Sequence, residues 1–240
     1  MTKRSSHEAP KSAAELMKAL RNNPDYQARI ASKNRDRMRA TADAQLSSAL
    51  VLDDLRKIGI DVASLDELRT GGRIYAAAIP LLVSWLGKVD DDRVKEALVR
   101  TLSVPWASEE AEGPLIDLYL SLDTNKSHSL KWAIGNALSV ISTGKYLDQL
   151  LEIVLDKRHG TTRQMIILGL ANVFDDRSEG VLIDLLTDPE VAGHAIMALG
   201  KCGREKAAAR LKPLSKYTTP WVRAEAKKAL SMINDRLALP

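Results

Sequence analysis

Val222-Arg223-Ala224-Glu225-Ala226-Lys227-Lys228-Ala229-Leu230-Ser231 is the last copy of a pattern that comes round five times in this chain. Its first residue stands seven positions before the small or apolar residue that opens a closing triplet. The earlier copies run from Val94-Lys95 to Thr101-Leu102-Ser103, from Leu130-Lys131 to Ala137-Leu138-Ser139, from Arg163-Gln164 to Leu170-Ala171-Asn172, and from Val191-Ala192 to Ala198-Leu199-Gly200. The triplets open at 101, 137, 170, 198 and 229, giving steps of 36, 33, 28 and 31 residues. Offsets of 0, 4, 7 and 8 fall on one face of an α-helix. A period of this size, with neither strand alternation nor a Gly-X-Y repeat, is the mark of a helical solenoid.

Upstream of each copy lies a second apolar segment. Leu82, Ile116, Leu150, Ile183 and Leu211 occupy equivalent places in these segments. Each repeat is therefore read as two helices, the first apolar and the second carrying the pattern. Pro80 and Pro114 are expected in first turns, where a missing N–H is tolerated. The turns Asp90-Asp91-Asp92, Asp123-Thr124-Asn125, Asp188-Pro189 and Thr218-Thr219-Pro220 suit the N-terminus of the helix that follows. Small residues at the end of the triplet (Ser103, Ser139, Asn172, Gly200, Ser231) let adjacent helices approach closely.

The first-helix Ile79-Pro80-Leu81-Leu82, the Asp-rich turn and a second helix of the form Val-Lys/Arg-x-x-Ala-x-x-Ala-Leu-Gly resemble HEAT repeats, closest to the short PBS-lyase-like variety common in bacterial proteins. The resemblance covers about residues 73–235, and the third copy departs from it most. It implies an all-α, right-handed α-α superhelix of about five helix pairs over residues 73–240. It also implies macromolecular scaffolding, with nucleic-acid binding and a few enzymes as minority uses of the same stack.

Residues 12–72 read as a helical N-terminal cap, and residues 1–11, polar and charged, as a disordered tail. Ser12 and Glu15 form a capping box for a helix that should stop near Asn22-Asn23-Pro24. A second helix is expected from Pro24 towards Ile58, with Leu46, Leu50 and Leu55 on its apolar stripe and Gly59 closing it. Ser64-Leu65-Asp66-Glu67-Leu68 reads as a short helical turn.

The formal net charge of +4 conceals an asymmetry. Residues 1–45 hold ten Lys/Arg against five Asp/Glu, and residues 201–240 hold ten against three, which leaves −8 for the middle. The chain is thus an acidic body with two basic ends. Cys202 is the only cysteine, so no intramolecular disulfide forms and a reducing compartment is expected. No apolar run approaches the roughly 18 residues of a membrane span, and the stretch MTKRSSHEAPKSAAEL lacks the apolar core of a secretory signal. A cytoplasmic protein without membrane attachment is the expectation.

Chemistry-bearing motifs are sparse. His7, His128, His159 and His194 are isolated from one another and from Cys202, and no CxxC, HExxH or phosphate loop occurs, so neither a metal nor a cofactor is expected. Cys202 matches Ile141 and Phe174 of other repeats and reads as a core residue. The stack resembles alkylpurine DNA glycosylases in carrying Trp132 and Trp221 in or at the start of second helices. The second helices of repeats two to four, however, hold no Asp or Glu to serve as the catalytic carboxylate. A bilin-lyase-like role follows from the repeat type alone.

A non-catalytic adaptor is the expected function, holding a protein partner along the concave face of the second helices. Lys95, Lys131, Trp132, Arg163, Arg223 and Lys227 are the expected contact residues. The bland reading of the basic slot, shared by Lys95, Lys131 and Arg223, is a ladder in which each cation pairs with an acidic turn. The alternative function is nucleic-acid binding through the basic ends, among them Lys201, Arg204, Lys206, Arg210, Lys212 and Lys216.

Overall fold

The computed structural model describes Met17, Arg21 and residues 23–238. The expected tail over 1–11 and the Ser12–Glu15 capping box lie outside these residues. The chain divides into two units, 1–46 and 47–240. In the first, the described residues belong mainly to the opening turns of helix α1 (Pro24–Lys57), which Asn23 caps by accepting from the N–H groups of Asp25 and Tyr26 at 2.9 and 3.2 Å. Ile30, Met38 and Leu46 are exposed there.

The second unit begins with the last turns of α1. Their buried pair is Val51 and Leu55, whereas Leu50 faces solvent. The expected Leu46–Leu50–Leu55 stripe is thus wrong in its first two members. The i, i+4 pair that packs is shifted by one residue, and Asp54 beside it accepts from the Trp85 indole N–H at 3.2 Å. Helix α2 (Leu65–Thr70) starts at Ser64, whose hydroxyl accepts from the Glu67 N–H, while the Glu67 carboxylate accepts from the Ala63 N–H.

Ten helices follow in pairs: α3 (Ile79–Leu86) with α4 (Asp92–Leu102), α5 (Ser108–Ser121) with α6 (His128–Ile141), α7 (Leu147–Leu155) with α8 (Gln164–Gly169), α9 (Asp176–Asp184) with α10 (Ala192–Cys202), and α11 (Glu205–Leu211) with α12 (Pro220–Leu237). The second helices α4, α6, α8, α10 and α12 pack on one another in order, each backed by the first helix of its own pair, and α2 covers α4. No strand occurs among the described residues. This is an all-α solenoid, and its repeat unit is the helix pair read from the sequence.

The five equivalent first-helix residues Leu82, Ile116, Leu150, Ile183 and Leu211 are all buried. So are the pattern residues Leu98, Ile134, Ala195 and Ala226 of the second helices. Burying a side chain the size of leucine stabilises by roughly 1.5–3 kcal/mol, so no pair is stable without its neighbours. Pro80 sits in the first turn of α3, as expected. Pro114 does not: α5 begins at Ser108, and the proline lies inside the helix, next to Gly113, which admits the Tyr146 hydroxyl.

The third copy of the pattern is shifted by one residue. Gly169, not Leu170, lies against Ser139 of the preceding helix, just as Ala229 lies against Gly200. An added Cβ on Gly169 would come within 2.7 Å of the Ser139 Cα. Repeat 3 therefore reads Thr162-Arg163 to Gly169-Leu170-Ala171, and Arg163 falls in the same slot as Lys95, Lys131 and Arg223. All five triplets then have leucine at the centre, with steps of 36, 32, 29 and 31 residues. Only Ala192, in repeat 4, leaves the slot without a cation.

Candidate interaction surface

In repeats 2, 3 and 5 the slot residue at the start of the second helix reaches back towards its own turn. Lys131 donates to the Leu122 carbonyl at 3.3 Å, the Thr124 hydroxyl at 3.1 Å and His159 Nδ1 at 3.1 Å, and it lies 4.3 Å from the centre of the Tyr119 ring. Arg163 donates to the Val154 carbonyl at 2.7 Å, nine residues back like Leu122 from Lys131. It also donates to the Gly160 carbonyl at 2.9 Å and to the Asp188 carboxylate of the next turn at 2.9 Å. Arg223 donates to the Tyr217 carbonyl at 2.8 Å. Lys131 and Arg163 thus bind carbonyls at the ends of first helices, where the helix dipole is negative, and Arg223 binds one in the connecting turn.

Lys131 and Arg163 are both 0% exposed. As contact residues on an open face, these two expectations are corrected: a side chain aimed at the carbonyls beneath the helix start cannot also face outward. The ladder reading describes Arg163, which bridges to Asp188, while Lys131 pairs with neutral acceptors. Lys95 and Arg223 are half-buried, and Trp132 and Lys227 are exposed. Lys227 occupies a position that is buried in the four earlier repeats. It is open because the described chain stacks no further helix on α12.

Around Lys131 the interior is unusually polar. The Tyr119 hydroxyl donates to the Thr162 hydroxyl at 2.7 Å, which donates to the His159 carbonyl at 2.6 Å. Burial pushes the Tyr119 phenol up to about 12. It lowers the Lys131 ammonium against the pull of Asp156 and Asp123. Burial, and then the Lys131 charge, lower His159. A neutral imidazole accepting at Nδ1 fits this arrangement. Among the described residues, every buried side-chain polar atom has a partner, so the cluster is a closed structural network.

The solvent-facing row of the second helices is different. Glu96 and Arg100, then Trp132, Asn136 and Val140, then Leu168, then Met197 and Lys201, then Lys228 and Met232 recur at matching offsets. Trp132, Val140, Met197 and Met232 are 37–43% exposed. The row thus pairs apolar side chains with cations near its C-terminal end. Between Met197 and Met232, with Gly200 and Ala229 as floor and Lys201 and Lys228 beside them, is a depression of about 80 Å3. The register of the pattern marks these positions as solvent-facing. Sequence reasoning missed all but Trp132 because it sought charge and not the row itself.

Glu96, one of the few carboxylates on second helices, is held by Arg100 at 2.7 Å and by the Ser129 hydroxyl at 2.8 Å. Trp221 lies over Gly193, where an added Cβ would come within 2.6 Å of its ring. Burial raises the Cys202 thiol to about 12, and its sulfur bonds to the Ala198 carbonyl at 3.1 Å, so it is not a poised nucleophile. Among the described residues, no three His, Cys, Asp or Glu side chains gather as a metal site. None of the described helices is long and apolar enough to cross a membrane.

Residues 179–240 match the family described as HEAT repeats. No curated protein matches the chain. The crystal structure of an engineered protein from the Northeast Structural Genomics Consortium is similar at 18% identity and a TM-score of 0.44, over 82% of this chain and 89% of that one.

Proposed function

We propose that this chain, whose residues 179–240 match HEAT repeats, is a non-catalytic module holding a partner protein against the open face of its second helices. HEAT repeats in general mediate protein–protein interaction. The observation that carries the reading is the row Trp132, Val140, Leu168, Met197 and Met232, apolar and open across repeats 2 to 5. Large apolar side chains recurring in register along one face suit burial under a partner. Methionine adapts to the partner's shape, and tryptophan supplies an anchor. Lys95, Arg223 and Lys227 flank the row and select by charge.

The test is capture from host lysate, with and without nuclease and at low and high salt, comparing the native chain with Trp132→Glu and Met197→Glu. A protein retained through nuclease and salt by the native chain, and lost by both variants, is the expected result. Retention of that protein by both variants would move the interface elsewhere.

A second reading, nucleic-acid binding, has one observation in its favour. Lys206, Arg210, Lys212, Lys216, Lys227 and Lys228 form no ion pair among the described residues. It predicts recovery of nucleic acid alone, lost steeply as salt rises.

A further inference from the structure

Repeat 4 is the repeat whose slot holds alanine, and a groove opens beside that alanine. Its volume is about 490 Å3, within the roughly 300–1,000 Å3 of ligand-binding clefts. Ala192 and Ile196 form one wall, Leu186 and Leu214 another, and Tyr217 and Trp221 stand at its mouth, 50% and 54% exposed. In repeats 2 and 3 the slot is filled by Lys131 and Arg163, which donate to the carbonyls nine residues back. A methyl group in their place leaves that volume open.

The contact between layers changes at the same junction. Ser129 donates to Glu96 between repeats 1 and 2, and Gln164 donates to the Glu190 carbonyl between repeats 3 and 4. At the equivalent place between repeats 4 and 5, Trp221 lies on Gly193. The polar contact at those two junctions becomes an apolar, aromatic-walled opening here, on the edge of the stack formed by the turns. It is separate from the open row of the second helices.

The rim carries cations with no ion pair among the described residues, while Asp188 and Glu190, on either side of the lining Pro189, are tied to Arg163. Arg223 is fixed to the Tyr217 carbonyl, which places its charge at the mouth, and Lys216 precedes Tyr217 in the chain. Arg210 lines an adjoining depression that shares Leu186, Thr187 and Leu214 with the groove, with Asp184 as the carboxylate there. Residues 201–240 as a whole hold ten Lys/Arg against three Asp/Glu. We propose that this groove docks an acidic peptide segment, one apolar side chain entering beside Ala192 and the flanking carboxylates meeting Arg210, Lys216 and Arg223. A nucleic-acid strand fits less well: the groove walls carry no charge, and a strand continuing towards the earlier repeats meets the acidic middle of the chain.

The test is selection of a displayed library of random dodecapeptides against the full chain. The selected peptide is then synthesised and titrated against the native chain, Ala192→Leu, Trp221→Ala and Trp132→Glu, each checked for native helicity by circular dichroism. The expected consensus combines Asp or Glu with Phe, Leu or Trp. Ala192→Leu fills the groove without changing charge and should weaken binding tenfold or more. Trp221→Ala removes an exposed wall and should weaken it several-fold, with Trp132→Glu neutral. A basic consensus overturns the proposal, as does an affinity unchanged by Ala192→Leu and Trp221→Ala. A peptide lost only with Trp132→Glu overturns the groove while leaving the open-face reading standing. If a twelve-base oligothymidylate binds and is blocked by Ala192→Leu while the peptide is not, the groove is a nucleic-acid site and the proposal fails.

Discussion

Repeats 2 and 3 and repeats 4 and 5 place the same position of the same motif to opposite ends. In the middle of the stack Lys131 and Arg163 turn inward, tie each first helix to the second, and reach the next repeat at His159 and Asp188. Towards the C-terminal end the slot is Ala192 and then Arg223, the first absent as a clamp and the second half-buried on its turn. A slot that is structural where it is covered is vacant or uncovered towards the other end. Repeats share a register more reliably than they share a job.

The largest effect that would test this contrast is on Arg163. Arg163→Ala strands the buried Asp188 carboxylate and the Val154 carbonyl, and breaking a buried pair this way typically removes about 3–5 kcal/mol. Because Asp188 belongs to the next repeat, urea unfolding should also broaden or split as coupling between repeats weakens. A single transition at an unchanged midpoint would remove Arg163 as the clamp. Lys131→Met should cost about 3 kcal/mol, the upper end for unmade hydrogen bonds, since it abandons the Leu122 carbonyl, the Thr124 hydroxyl and His159 Nδ1 together. The matching change at the other end, Arg223→Met, should cost less than either.

Glycine positions sharpen the same comparison. Gly169→Ala sets a methyl 2.7 Å from the Ser139 Cα in mid-stack, and Gly200→Ala sets one 3.0 Å from the Ala229 Cα near the end. Overpacking of this kind costs roughly 1–3 kcal/mol. The mid-stack change should be the worse of the two, because its methyl meets the neighbouring backbone more closely. Equal losses in thermal unfolding would show that the end of the stack is as rigid as its middle.

These contrasts also mark what the sequence discloses. Buried leucines at a period of about thirty residues announce themselves, because burial on one helix face forces the spacing, and Leu82 to Leu211 all fell where the pattern put them. The register of repeat 3 did not, because Arg163 was matched with valine by counting seven residues to Leu170. The centred leucine, 170 beside 102, 138, 199 and 230, was the better guide. The direction of a long cation was hidden as well. A cation at a helix start reads as surface until the groups beneath it are placed: Leu122, Thr124 and His159 for Lys131, and Val154 and Gly160 for Arg163. Pro114 misled for a related reason: α5 extends backwards through Ser108-Glu109-Glu110, where nothing apolar and periodic marks a helix.

Acid should act in two steps. Burial lowers His159 and His194, and for His159 the Lys131 and Arg163 charges add to this while Asp156 opposes it. A folded pKa below the ordinary 6.5 means that protons favour the unfolded chain, so stability is full above about 6.5 and falls as pH drops through it. Asp91 and Asp156 act in the same sense at lower pH: hydrogen bonds from Arg93 and Arg158 hold them below the ordinary carboxylate value of 3.8, and their contribution is lost as pH falls through it. Urea midpoints at pH 7.5, 5.5 and 3 should fall twice. With His159→Gln, which keeps an acceptor near Lys131, the first fall should shrink, and an undiminished one would assign it to His194.

The smallest effect belongs to the exposed end. Lys227→Ala and Lys228→Ala remove charges with no ion pair among the described residues, on a helix face that no described helix covers. Surface changes of this kind stay within about 0.5 kcal/mol. The pair should therefore leave the midpoint where it is, even though it removes the same formal charge as Arg163 and Lys131 combined. Charge alone would make the two double variants alike. Position makes one of them several kcal/mol worse, because Lys131 and Arg163 are buried and bonded to backbone carbonyls, whereas Lys227 and Lys228 are exposed. A loss of stability on removing Lys227 and Lys228 would mean that the end is braced like the middle, and the division of labour between the two halves of the stack would have to be abandoned.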